Sequence, residues 1–334
     1  MFSAEASMGA RERLRIGVDI GGTKIEAVVL RITADDAPPE VLARVRRATE
    51  RDLGYEHILA ASEQTIVDCA AEAGLRERPP IGVGMPGATT FRRADGSRSP
   101  IALVKNANTV CLNGRPFRAD LAERLGGAVA FANDANCFAL AEASFGVARG
   151  AAVVFGVIMG SGVGGGLVFG GAGRRPRAWD GLHGIAGEWG HTTLEPVDGP
   201  ACYCGLRGCV ERLICGPSLE AQYRARAGVA RSLAEISARA ASGEDAEAEA
   251  VIDGLVERFG RALATVIDVL DPSMIVLGGG VSNVPQLYDR GRAAVARWVF
   301  NDELVTPIVQ HSLGDSAGVL GAAMLPDDSL PASV

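Results

Sequence analysis

No stretch of this 334-residue chain is apolar for long enough to span a membrane. Its N-terminus, MFSAEASMGARERLR, has no apolar core behind its charges, so it does not read as a signal peptide. A positive charge balance is missing as well. Forty acidic side chains against 33 basic ones give a formal net charge of -7, which argues against nucleic acid or an anionic membrane as the main partner. Seven cysteines, an odd number, suit a reducing cytoplasm better than a disulfide framework, and a cytoplasmic location is expected. Neither Gly-rich turn described below matches the phosphate-loop pattern G-x-x-x-x-G-K-[ST], and neither opens a helix as a dinucleotide fingerprint must. What remains is a globular composition, 48% hydrophobic and 22% charged, in a chain long enough for two domains. Residues 1 to about 13 read as a short disordered extension.

The densest chemistry lies between Gly187 and Glu211, GEWGHTTLEPVDGPACYCGLRGCVE. His191, Cys202, Cys204 and Cys209 supply one imidazole and three thiolates, the ligand set of a closed tetrahedral zinc site. Four protein ligands leave no position for a substrate water, so such a site is structural. The C-x-C spacing is not that of a common zinc finger. Glu188 and Glu211 flank the ligands, so chelation would fold the loop and fix two acids beside it. The alternative is a run of reduced structural cysteines with an unrelated His.

Two strands near the start, LRIGVD (14–19) and IEAVVL (25–30), enclose the turn IGGTK. Adjacent glycines Gly21 and Gly22 let backbone N–H groups approach and cradle phosphate oxygens. Thr23 adds a hydroxyl, Lys24 a cation, and Asp19 can hold magnesium through water. An ordinary hairpin turn is the plainer reading. Half a chain later AAVVFGVIM is followed by GSGVGGG, with Gly160, Ser161 and Gly162, and then by the strand LVFGG. The repeated strand, glycine turn and strand suggest an internal duplication. Two related lobes would face each other across a cleft and clamp one polyphosphate between hairpins.

Apolar spacing predicts a helix over 57–73 that stops at Gly74, then a strand over 81–85. Residues 88–103 read as an exposed, Arg-rich excursion, and VKNANTVCLNGRPF as a loop whose amides suit hydroxyl groups. A helix restarts at 116–124. A short strand at 129–131 then delivers Asn133 and Asp134 to its C-terminal end, where ligands bind in open α/β sheets. Asp134 could instead be the N-cap of the following helix. After the cysteines the chain is helical to Gly243 and again over 250–270. MIVLGGGVSN is a strand that breaks at Gly278, Gly279 and Gly280, where a base and ribose could lie on bare backbone; a sharp strand-to-helix connection is the alternative. GDSAGVLGAAML closes the pattern as a loop and a small-residue helix.

DIGGTK, KNAN, NDANC, GSGVGGG, GEWGH, CYCGLRGC followed by VE, LGGG and GDSAG occur in this order between Ile16 and Met324. Together they resemble the ROK family of sugar kinases, closest to its bacterial fructokinase and mannokinase branch. The resemblance implies a two-lobed α/β fold of the actin-like ATPase and hexokinase (ribonuclease H-like) type with a structural zinc loop. Its N-terminal lobe would span 14–132 and its C-terminal lobe 133–316, with the zinc loop at 187–211. Residues 317–334 would form a terminal helix and tail that return to the first lobe. By the same resemblance Asp134 is the catalytic base. Asn108, Asn133, Glu188, His191 and Glu211 would bind the sugar, and the zinc ligands fall on His191, Cys202, Cys204 and Cys209.

The implied reaction transfers phosphate from ATP, with Mg2+, to a free hexose at its 6-hydroxyl, fructose or mannose first. Two departures bear on it. Many relatives carry Trp where this chain has Cys111, which could open room for the N-acetyl group of N-acetylglucosamine, so that kinase, like a glucokinase, is an alternative. Ser161 replaces the usual Thr of the second phosphate turn and keeps its hydroxyl. The family also contains sugar-responsive repressors, but the chain ahead of Ile16 is too short for a helix-turn-helix domain and the charge is acidic. A sugar-binding module without catalysis would not need both DIGGTK and Asp134. Monomer and homodimer both remain open.

Overall fold

Burial on both faces explains why the first two strands are almost continuously apolar. In the computed structural model, which describes residues 12–33, 38–171 and 173–327, they are β1 (Arg13–Ile20) and β2 (Lys24–Ile32). They pair antiparallel, with Asp19 opposite Glu26 and Ile20 opposite Ile25. The expected N-terminal extension falls on residues 1–11, outside the described residues, and on Glu12 and Arg13, of which Arg13 already opens β1. By its internal packing the chain divides into two units, Met1–Cys137 with Asp315–Val334, and Phe138–Gly314.

In the first unit β3 (Glu40–Ala48) adds to β2 as an antiparallel edge strand. Nothing in its sequence announces a strand, because Arg44, Arg46 and Arg47 crowd an edge that only Ala43 buries well. Helix α1 (Tyr55–Glu72) covers β2 and β3 with Ile58, Leu59, Ile66 and Cys69. Each fully buried aliphatic side chain of this kind contributes about 1.5–3 kcal/mol. Gly74, at φ 70°, ends the helix where the sequence put the stop. Strand β4 (Ile81–Met85) then runs parallel to β1.

The stretch expected as an exposed, Arg-rich excursion is a two-stranded antiparallel hairpin of β5 (Ala88–Arg92) and β6 (Arg98–Lys105). Its outer residues are exposed, as expected, but their backbone groups pair with each other. Helix α2 (Phe117–Leu125), β7 (Val129–Asn133) and α3 (Asp134–Ser144) complete the run, and β7 pairs parallel with β4.

The second unit repeats the same sheet. Strands β8 (Val153–Met159), β9 (Val163–Gly171) and β10 (Arg174–Ala178) form an antiparallel meander. Helices α4 (Val210–Ile214), α5 (Gly216–Ala227), α6 (Leu233–Ser242) and α7 (Ala246–Leu270) follow. A capping box between Ser232 and Glu235 starts α6, and the Asp245 side chain accepts the Ala248 N–H to start α7. The long α7 buries Ile252, Leu255, Phe259 and Leu263 in this unit's core. Strand β11 (Met274–Gly278), α8 (Arg290–Trp298) and β12 (Ile308–Gln310) end the unit.

The sheet orders are β3-β2-β1-β4-β7 and β10-β9-β8-β11-β12, each an antiparallel meander followed by two parallel strands. Helix α9 (Ala317–Ala322) packs on β1 and β4 of the first unit. It fits because Gly17 and Gly82 have no side chain; a Cβ there would collide with the Val319 and Ala322 carbonyls. Among the described residues no helix is long and apolar enough to cross a membrane.

Candidate active site

In the first unit the turn between β1 and β2 closes through the Gly21 N–H donating to the Lys24 carbonyl at 2.9 Å. Lys24, expected to reach a phosphate, has its Nζ 2.8 Å from Glu26 Oε2. Glu26 is 1% exposed and also receives Arg44 Nη1 at 2.6 Å and Arg46 Nη2 at 3.0 Å. Burial alone would raise this carboxyl; the Lys24 ammonium and the Arg46 guanidinium outweigh it and hold it below its ordinary value. A Glu inside an apolar strand was the one signal of this cluster available in the sequence, and it went unread.

Asp19 lies across from Glu26 on the same sheet. Burial, and next the charge of Asp134, push its carboxyl up to about 7, against the opposing pull of Lys24. Asp134 opens α3, and its Oδ1 accepts the Ala135 N–H at 2.9 Å. Desolvation nevertheless raises its carboxyl above the ordinary value, although the side chain itself is open to solvent. A raised pKa makes it a stronger proton acceptor once ionised. Asn133 Oδ1 shares the same Ala135 N–H at 2.9 Å, and its Nδ2 donates to the Gly87 carbonyl at 3.1 Å.

Asn108 is exposed on a loop held from inside the chain. Asn113 Oδ1 accepts the Ala107 N–H at 2.8 Å and its Nδ2 donates to the Ala107 carbonyl at 3.0 Å. The loop also contains Asn106 at φ 58°, a left-handed conformation that Asn tolerates better than most side chains.

In the second unit the GEWGH segment lies flat on β9. A Cβ at Gly187 would strike the Gly165 carbonyl, and one at Gly190 the Val163 carbonyl. Trp189 between them is buried, donates Nε1–H to the Gly164 carbonyl at 2.9 Å and packs edge-on against Phe155. Glu188 and His191 are thereby fixed on either side of that anchor. Glu211, at the start of α4, is 9% exposed and accepts the Val163 N–H at 3.1 Å. It therefore touches the second glycine turn, whose Gly160 N–H donates to the Gly162 carbonyl at 2.8 Å.

The third glycine run adjoins this turn. Gly278 makes room for the Phe138 ring, and Gly279, at φ 77°, sits against the Met159 backbone. Gly280 and Gly160 are different: neither is left-handed, and nothing lies near the position of a Cβ. The fold does not require glycine at these two places.

The Nδ1 or Nε2 of His191 and the sulfurs of Cys202, Cys204 and Cys209 all lie within 4.8 Å of one another. Cys204 and Cys209 sulfurs are 3.6 Å apart, and Cys202 Sγ is 3.7 Å from His191 Nδ1. A tetrahedron with zinc–sulfur bonds of about 2.3 Å has edges of about 3.8 Å, so the residues fit zinc. Burial and the neighbouring thiols push Cys209 up to about 12, whereas the Leu206 N–H draws Cys204 down. Three thiolates this close need a cation to coexist. The other His191 nitrogen, Nε2, is 3.0 Å from the Tyr203 hydroxyl. Tyr203 was not anticipated; it meets a nitrogen of the histidine expected to serve both zinc and sugar.

The family model for the ROK family matches residues 15–329, and the chain belongs to the ROK family. It is 36% identical over 319 residues to an N-acetyl-D-glucosamine kinase of Photobacterium profundum, covering 92% of this chain and 98% of that one. A ROK hexokinase from Thermus thermophilus superposes with a TM-score of 0.78 at 33% identity, over 93% of this chain and 97% of that one. A ROK family glucokinase from Streptomyces griseus, solved with glucose and AMPPNP, gives 0.71 at 28% identity, over 93% and 98%. These relatives correct the expected branch: the curated one is named for N-acetylglucosamine, not for fructose or mannose.

Proposed function

We propose that the protein is an ATP-dependent ROK sugar kinase whose substrate is N-acetyl-D-glucosamine. The observation that carries the reading is the 36% identity to a kinase of that sugar over nearly the whole of both chains. Cys111 supports it. Its side chain is half-buried, with Sγ 3.7 Å from the Arg51 carbonyl, and is smaller than the Trp of many relatives, so it would leave more space. An acetamido group needs such space beside C2.

A sugar hydroxyl must lose its proton as it attacks the γ-phosphorus. Asp134 takes that proton, a contribution of about 10²–10⁴-fold. In the first unit Asn108 and Asn133 bind sugar hydroxyls, and the Gly21–Gly22–Thr23 turn holds phosphate oxygens with Lys24 behind it. Asp19 would hold Mg2+, which neutralises charge on the phosphates when bound. In the second unit Glu188, His191 and Glu211 bind sugar hydroxyls. Gly160, Ser161 and Gly162 hold phosphate, and Gly278 to Gly280 receive the nucleoside. His191, Cys202, Cys204 and Cys209 would hold a structural zinc, which would orient His191 and take no part in proton transfer.

ADP release measured with N-acetylglucosamine, glucose, mannose and fructose at saturating MgATP tests the proposal. Expected is a kcat/KM for N-acetylglucosamine at least about tenfold above the others, a barrier difference of about 1.4 kcal/mol. A preference for fructose or mannose overturns the substrate and leaves the kinase; no ADP release with any sugar overturns both.

A further inference from the structure

Gly21 and Gly22 give the first turn no side chains with which to hold itself, and its own hairpin bond is a single one. What fixes it comes from the far end of β3. Thr49 is fully buried, and its Oγ1 donates to the Gly21 carbonyl at 2.7 Å. Its backbone N–H donates to the Thr23 carbonyl at 3.0 Å. One residue therefore grips the turn on both sides of Gly22. The next residue, Glu50, has φ 45°, a conformation non-glycine residues adopt only under constraint. That reversal carries the chain from β3 into a 3-10 turn over Arg51–Leu53, directly after the residue whose two donors meet the turn.

Peptide planarity turns this grip into a statement about the opposite side. In a trans peptide the N–H points away from the carbonyl of the preceding residue. With the Gly21 and Thr23 carbonyls committed to Thr49, the N–H groups of Gly22 and Lys24 point the other way. Two donors of an otherwise loose turn are then set before any ligand arrives, and the ordering cost does not fall on binding.

We propose that Thr49 is a positioning residue for the nucleotide: it presents the Gly22 and Lys24 N–H groups to the phosphates of ATP. The proposal rests on the phosphate role of this turn, not on the identity of the sugar. Thr49→Val removes the hydroxyl and keeps the shape, whereas Thr49→Ser keeps the hydroxyl. For Thr49→Val the Kd of MgATP by calorimetry and the KM of MgATP should both rise about tenfold, with the sugar KM within twofold of wild type. Thr49→Ser should restore both to within about threefold. Should Thr49→Val fail to fold, Thr49→Ala makes the same comparison.

Unchanged MgATP affinity in the hydroxyl-less variant overturns the proposal. So does an equal rise in the sugar KM, which marks general loosening, and so does a wild type that binds no MgATP. A wild type that binds MgATP but phosphorylates no sugar removes the kinase reading alone, and the Thr49 comparison is still read from the titration.

Discussion

The glycine turn after β1 is held by a hydroxyl, and the glycine turn after β8 by a carboxylate. Thr49 grips the first through Gly21 and Thr23; Glu211 grips the second through the Val163 N–H. The sheets beneath them have the same order and sense, so the difference arises in what each unit packs on its sheet. Thr49 belongs to the edge of the sheet and to nothing else in the site. Glu211 follows Val210 and Cys209, so it is two residues from a proposed zinc ligand and is itself proposed to bind the sugar. In the second unit the proposed metal and sugar ligands share one short segment, and Glu211 ties that segment to the second glycine turn. In the first unit the first glycine turn and the proposed base, Asp134, are fastened separately.

The separation predicts the largest effect. Asp134→Asn keeps an oxygen for the Ala135 N–H, so α3 should start normally, yet it cannot accept the sugar proton. kcat should fall by about 10²-fold or more with little change in sugar KM. A variant that retains a tenth of wild-type kcat excludes Asp134 as the base.

The shared segment predicts a double effect of metal loss. Elemental analysis should find one zinc per chain, and Cys204→Ser should lose it. Sugar KM should then rise about tenfold and MgATP KM severalfold, because Glu211 serves both. Zinc-free protein with both constants unchanged contradicts the coupling. An effect on sugar alone breaks the link between Glu211 and the turn.

A smaller effect separates the units by pH. Asp19 is raised to about 7 and Asp134 is raised as well, both in the first unit. Their folded forms hold protons that the unfolded chain, with Asp near 3.9, has lost. The contribution of Asp19 to stability is therefore full at low pH and is lost as pH climbs from about 4 through about 7, and that of Asp134 is lost in the same direction. Activity needs the ionised forms and moves oppositely. At subsaturating MgATP, kcat/KM should fall up to about tenfold per unit below about pH 7. Asp19→Asn should lower activity but remove this part of both profiles. A flat stability profile for wild type over that window contradicts the shift.

How legible all this was depended on distance along the chain. The cluster of His191, Cys202, Cys204 and Cys209 and the glycine turns could be read because their residues are close in sequence and chemically unusual, whereas the anchoring of GEWGH by Trp189 could not. The helix over 57–73 and the strands flanking each turn followed from local apolar spacing. Thr49 could not be read, since it reaches Gly21 across 28 residues and belongs to a strand disguised by arginines. Those arginines made sense only once Glu26 was seen buried beneath Arg44 and Arg46. The hairpin of β5 and β6 was hidden in the same way, because its exposed residues carry no apolar pattern. Lys24 was read as a phosphate ligand with no hint of its pairing to Glu26, and Tyr203 gave no signal that it would meet His191.

Substrate choice is tested most directly by internal competition. N-acetylglucosamine, glucose, mannose and fructose at equal concentration would share a limiting amount of MgATP, and the phosphorylated products would be weighed by mass spectrometry. The acetamido group separates N-acetylglucosamine phosphate from the hexose phosphates by mass alone, and the product ratio equals the ratio of kcat/KM values. The account predicts that N-acetylglucosamine phosphate exceeds the pooled hexose phosphates severalfold. Hexose phosphate in excess would contradict it.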